Sequence, residues 1–308
     1  MKNIYEVRRS NKIRSALIVV FFVVFSFLAI YIITNALGYY MGYEPGGFGY
    51  FGVALMFSGI SSFFSYYYSD KIILGISGAR KATAQEDKLF TQVVENLCIG
   101  AGIPKPELYV INDASPNAFA TGRDAKHAVI CTTTGLLEKL SRTELEGVFA
   151  HEISHIRNLD IRLMAVVSVM VGLISLLADW FMRTLWFGGR SRDNDDNKAG
   201  SIFMILGIIF AILSPIIGSL IQLAIGRRRE FMADAGSVEI TRQPGGLISA
   251  LEKISADPIP LRTAYKATAH LFINSPLKGR KGSSNWFSGL FNTHPPISER
   301  IKALKSMA

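Results

Sequence analysis

Metal-ligating and cross-linking side chains are scarce in this chain. Its 308 residues include five histidines, at 127, 151, 155, 270 and 294, and two cysteines. Cys98 and Cys131 have no metal-ligand spacing, which sets aside zinc ribbons and disulfide scaffolds. Both thiols suit the core of a domain in a reducing compartment. Neither an internal repeat nor a glycine-rich phosphate loop is present, which removes solenoids and the common nucleotide-binding folds. Charge is sparse as well. Only 19% of residues are charged and 49% are hydrophobic, a balance that an ordinary soluble enzyme of this length seldom shows. The net charge of +9 comes largely from basic residues flanking apolar runs. Attraction to anionic lipid accounts for them without nucleic acid.

The apolar residues fall in blocks. Residues 15–43 and 45–69 carry no charge, and Glu44 alone separates them. Each run exceeds the roughly 20 residues that cross a bilayer. The first is too long for a signal-peptide core, so residues 1–70 read as a transmembrane hairpin. Lys2, Arg8, Arg9, Lys12 and Arg14 against the single acid Glu6 place the amino terminus in the cytoplasm, and two crossings return the chain there at Asp70. Within residues 162–226, two further stretches, 163–186 and 199–226, read as a second helix pair. Asp179 and Arg183 interrupt the first, which is either a packed or an incomplete span, and Pro215 is a site for a kink in the second. Buried helices of a soluble core are the alternative. Arg227, Arg228 and Arg229 then fall at the cytoplasmic end of the last crossing, and a polar loop from Gly188 through Asn197 falls on the far side. Residues 71–161 and 227–308 remain as two parts of one cytoplasmic domain.

The first of these parts ends in His-Glu-Ile-Ser-His at 151–155. On a helix, His151 and His155 share a face one turn apart and can bind one metal ion. Glu152 stands beside that metal without ligating it, placed to take a proton from water attacking a peptide bond. The surroundings predict the helix. Ser141 and Glu144 fit a capping box, and Leu145, Val148, Phe149 and Ile153 recur near helical spacing. A two-histidine zinc site needs a third protein ligand and an open fourth position. No second histidine pair exists, and Glu230, opening Glu-Phe-Met-Ala-Asp at 230–234, is the better candidate. Asp234, one turn on, is placed to accept a hydrogen bond from a ligand histidine and fix its tautomer.

Together, the 151–155 motif with Asn158 and Asp160, the 230–234 segment, His294-Pro295-Pro296 with Arg300, residues 115–122 and residues 269–273 resemble the HtpX family of bacterial membrane-bound zinc metalloproteases. The resemblance covers nearly the whole chain. It implies a gluzincin-like α+β protease domain anchored by about four transmembrane helices, with one Zn²⁺ per subunit. It also implies a role in the quality control of damaged or misassembled membrane proteins under stress.

Between the hairpin and the metal helix, the pattern predicts a helix over 85–99 stopped by Gly100 and Gly102, a strand at 107–111, a turn at 122–126 and a second strand at 128–132. Residues 117–121 are either an edge strand or a loop. As an edge beside the metal helix they offer main-chain pairing to an extended substrate. The resemblance sets this segment at the substrate cleft, with Asn117 as the position of interest. Peptide hydrolysis also needs a donor for the developing oxyanion, for which His294 is the candidate. The resemblance turns His294 and Arg300 toward the active site, although Arg300 is equally able to pair with a ligand carboxylate. The metal falls close to the bilayer. Some eight residues separate His155 from the third span and four separate Glu230 from the fourth, roughly 12 and 6 Å at helical rise, so membrane proteins or their cytoplasmic loops would enter such a site most readily. A non-catalytic membrane scaffold with structural zinc is the competing class. An intact Glu152 argues against it, as does the four-ligand closure usual in structural sites. A protease that trims prenylated carboxyl termini is a second alternative, but that family generally has more spans than this chain supplies.

Overall fold

The computed structural model describes residues 4–41, 48–83, 85, 87–165, 176, 180, 181, 183, 198–261, 272–273 and 295–307. It divides into two compact units, Met1–Tyr66 with Val166–Ser219, and Tyr67–Ala165 with Leu220–Ala308.

Two long helices open the chain, α1 (Ile4–Tyr40) and α2 (Phe48–Ser77). In the first unit Ile33, Ala36 and Leu37 of α1 pack with Phe181 and Ala211. Leu17, Val20 and Phe21 lie on an outer surface, each about 60% exposed. Taken over the described residues alone, no helix is long and apolar enough to cross a membrane, so the number of crossings rests on the sequence.

The second unit is an α+β domain. Strand β1 (Arg80–Lys81) is followed by α3 (Lys88–Ala101), β2 (Glu107–Ile111), β3 (Ala118–Gly122), a 3₁₀ turn (Ala125–His127), β4 (Ala128–Thr133), α4 (Thr134–Lys139) and α5 (Arg142–Arg157). The sheet order is β1-β2-β4-β3, parallel between β2 and β4 and antiparallel at both flanking pairs. Residues 117–121 therefore resolve as an edge strand, shifted by one position. The helix predicted from residue 85 starts later, because Asp87 accepts bonds from the Thr83 N–H and Arg80 instead of capping its own helix.

Helix α5 forms where the pattern predicts. The Ser141 hydroxyl accepts from the Glu144 N–H while the Glu144 carboxylate accepts from the Ser141 N–H, so both arms of the capping box are present. Burial alone would raise the Glu144 carboxyl. Lys253, Ser249 and Ser141 together bring it down to about 2. Phe90, Val94, Leu145, Val148, Phe149 and Ile153 fill the core between α3, the sheet and α5.

Helix α6 (Lys198–Thr241) runs unbroken for 44 residues, through Pro215, and carries Glu230 and Asp234 in its later turns. Two short helices follow, α7 (Gly245–Ala256) and α8 (Ile297–Lys305). Close approach sets where α5 meets its neighbours. A Cβ on Gly147 would fall 2.5 Å from the Leu247 nitrogen of α7, and one on Gly236 of α6 would fall 2.3 Å from the Ser154 hydroxyl. Glycine at 147 lets the backbones of α5 and α7 approach this closely, and glycine at 236 leaves room for the Ser154 side chain.

Candidate active site

Helix α5 brings His151 and His155 to one face, as an i,i+4 pair must be, and α6 lays Glu230 against them. All three are buried. His151 Nε2 is 3.2 Å from His155 Nε2, Glu230 Oε1 is 3.3 Å from His155 Nε2, and Glu230 Oε2 is 3.6 Å from His151 Nε2. Ligand atoms on a tetrahedral zinc with bonds near 2.05 Å sit about 3.3 Å apart. The donor set thus fits zinc in both chemistry and spacing.

The far nitrogen of each imidazole meets a carboxylate. His151 Nδ1 lies 3.0 Å from Asp234 Oδ1, and His155 Nδ1 lies 3.2 Å from Asp160 Oδ2. Burial works against a charged His155, but Asp160 and Glu230 outweigh it and hold its pKa at about 10. For His151 too, burial and then Arg300 lower the pKa, while Asp234 and Glu230 raise it to a net upward shift.

Arg300 reaches this cluster from α8 and is wholly buried. It donates from Nε to Asp234 Oδ2 at 3.0 Å and from Nη2 to Oδ1 at 2.6 Å, and its Nη1 lies 3.2 Å from Glu230 Oε2. Arg300 thus pairs with the carboxylates of both Asp234 and Glu230. Burial would raise the Asp234 carboxyl, but Arg300 and then His151 hold it down.

A cavity of about 10 Å³, room for roughly one water, lies against His151, Glu152, His155 and Glu230, with Ala120, Met164 and Ile273 as its apolar walls. Glu152 is buried at its edge. Asn117 is also buried, at the start of β3. Its N–H donates to the Thr133 hydroxyl and its carbonyl accepts from the Thr133 N–H. The Ala118 carbonyl points away from β4 and accepts from the Ile273 N–H at 3.1 Å, so part of the edge is already paired. By strand alternation Ala120 presents its N–H and C=O outward, beside the cavity. His294 lies outside the described residues, as do residues 269–271 of the 269–273 segment.

Two charged residues received no place in the site from sequence. Asp160 follows the end of α5, and Arg229 falls with its neighbours at the expected cytoplasmic end of the last crossing. Arg227 and Arg228 are exposed, whereas Arg229 is buried and paired with Asp160. The available signal was the place of Asp160 among the residues that carry the family resemblance.

A helix-borne pair of histidines with a glutamate beside the first, and a further glutamate brought against them from a second helix, is a donor arrangement suited to a zinc metallopeptidase. Residues 84–308 match the model of peptidase family M48. The protease HtpX homolog of Thermoanaerobacter pseudethanolicus is 46% identical over 310 residues, covering 99% of this chain and 98% of its own. Those of Dictyoglomus thermophilum and Streptococcus uberis are 46% and 40% identical, over 98% and 92% of this chain and 94% and 96% of theirs. The chain belongs to peptidase family M48, and within it to the HtpX proteases. It is a membrane metalloendopeptidase, and zinc is its metal. Among solved structures, S. mikatae Ste24p is similar at a TM-score of 0.48 and 18% identity, over 83% of this chain and 58% of that one, a likeness too distant to carry weight.

Proposed function

We propose that His151, His155 and Glu230 hold the zinc and that Glu152 is the general base of peptide hydrolysis. The ligand-atom spacing of 3.2, 3.3 and 3.6 Å carries this reading. When bound, zinc supplies a Lewis acid that polarises the scissile carbonyl and makes water acidic enough to ionise near neutral pH. Glu152 accepts the proton from the attacking water and returns it to the nitrogen of the departing amine. Asp234 orients His151, and Arg300 fixes Asp234 and Glu230 together. The substrate backbone pairs with the outward edge of β3 from Ala120, with Asn117 at one end of the cleft, and His294 donates to the developing oxyanion.

Residues 1–70 and 162–226 form two membrane helix pairs, about four spans in all, and residues 71–161 and 227–308 form the catalytic domain on the cytoplasmic side. The uncharged runs and the basic residues at their ends support this arrangement. Membrane proteins and their cytoplasmic loops are the substrates, and quality control of such proteins is the role.

The test uses wild type and Glu152→Gln purified side by side in detergent. Bound zinc is measured, and both proteins are offered a membrane-protein substrate and an unfolded soluble one. One zinc in each with cleavage by wild type alone supports the reading. Equal cleavage by the two proteins removes Glu152 as the base, and equal cleavage of the two substrates removes the membrane preference.

A further inference from the structure

The two ligand histidines are supported in parallel ways, and only one of the supports has been given a role so far. His151 leans on Asp234, which Arg300 neutralises; His155 leans on Asp160, which Arg229 neutralises through a buried contact from Nη1 to Oδ1. Asp160 is 1% exposed and Arg229 8%. An ion pair this deep adds little to stability over apolar packing of the same volume, so its presence beside a ligand calls for a positional reason.

The backbone supplies a second, independent observation. Helix α5 ends at Arg157, and Leu159 adopts φ 60, the left-handed region that a leucine enters at a cost of about 1 kcal/mol. Leu159 stands between the end of α5 and Asp160, whose carboxylate reaches back to His155 in the last turn of α5. Strain of this kind persists where the surrounding contacts fix it. Here those contacts are the bonds of Asp160 to His155 and Arg229.

We infer that Asp160 and Arg229 act as a positioning pair for His155, holding its Nδ1–H toward Asp160 and its Nε2 toward the metal, as Asp234 and Arg300 do for His151. Arg229 precedes Glu230 directly, so the same pair also fixes the turn of α6 that delivers the third ligand. The inference rests on the assignment of His155 and Glu230 as ligands.

The experiment measures zinc affinity by chelator competition in full-length protein in detergent. It compares wild type, Asp160→Asn, Arg229→Lys, Arg229→Gln and the double variant Asp160→Asn/Arg229→Gln, with the melting temperature of each zinc-free protein and the visible spectrum of each cobalt-substituted one. Asp160→Asn is expected to weaken zinc binding about 10- to 100-fold and to shift the cobalt bands. Arg229→Gln weakens it less, and Arg229→Lys restores most of the loss. The double variant removes both buried charges, so it recovers melting temperature without recovering zinc affinity. Recovery of both together would make the pair merely structural and overturn the inference, as would wild-type affinity in Asp160→Asn. A wild type that binds no zinc would instead overturn the ligand assignment itself.

Discussion

Arg300 grips Asp234 with two hydrogen bonds while its third nitrogen lies 3.2 Å from Glu230, so one side chain from α8 joins two acids that stand a helical turn apart on α6. The guanidinium fork suits this task because its donors are fixed in one plane. Lysine has a single nitrogen and cannot reach both acids with the same geometry. Arg300→Lys should therefore lower zinc retention and turnover, and Arg300→Ala, which strands a buried carboxylate, should destabilise the domain by about 3–5 kcal/mol. Thermal melting with metal analysis checks both. Wild-type metal content in Arg300→Ala would separate Arg300 from the site.

Glu144 gives a pH prediction of definite sign. Its carboxyl lies near 2 in the folded protein against an ordinary value of 4.5. A depressed acid contributes stability that is present above its unfolded value and lost as pH falls through the folded one. Glu144→Gln should melt lower than wild type at neutral pH, by roughly 1–2 kcal/mol in stability. The gap should hold down to about pH 4.5, then narrow and close near pH 2. A gap that does not change across this range would place the lost stability in packing instead of charge.

The end of β3 makes a prediction about substrate that leaves the metal untouched. Ala120→Pro deletes an N–H that points away from β4, so the ladder within the sheet stays intact while the outward edge loses a donor. Cleavage of extended peptides should fall about 10-fold or more in kcat/KM, the effect of one main-chain bond to substrate. Zinc content should not change. Undiminished cleavage would move the substrate off this edge.

At the crossing of α5 and α7, Gly147→Ala should destabilise by about 1–3 kcal/mol, since the new methyl would meet backbone that no rotamer change can move. Ser154→Ala, by contrast, removes an atom near Gly236 and should be tolerated. Denaturant melts of the two variants rank them, and the reverse order would mean that α7 slides freely on α5.

Helix α5 was legible in the sequence because every local signal agreed: a capping box, an apolar face and two histidines one turn apart. Strands β2 and β4 were legible for similar reasons, as short β-branched runs between turn residues. Glu230 could be found from the need for a third ligand. Asp160 and Arg229 could not be placed, because their contact depends on one left-handed residue at Leu159 and on the docking of α6 against α5. Neither has a periodic signature. The arginine run looked like a lipid-facing cluster, and two of its three members are exposed as such a cluster requires. Pairing of the β3 edge by Ile273 was hidden for the same reason, being a single hydrogen bond between segments more than 150 residues apart.

The centre draws its parts from α5, α6 and α8, in that order along the chain. A ribosome delivers them in the same order. When α6 has docked on α5, the two imidazoles and Glu230 are together, but Asp234 still lacks the guanidinium that neutralises it. A growing chain at that stage would hold its metal poorly. Hydrolytic competence would then arrive with α8, after α5 and α6 have left the exit tunnel.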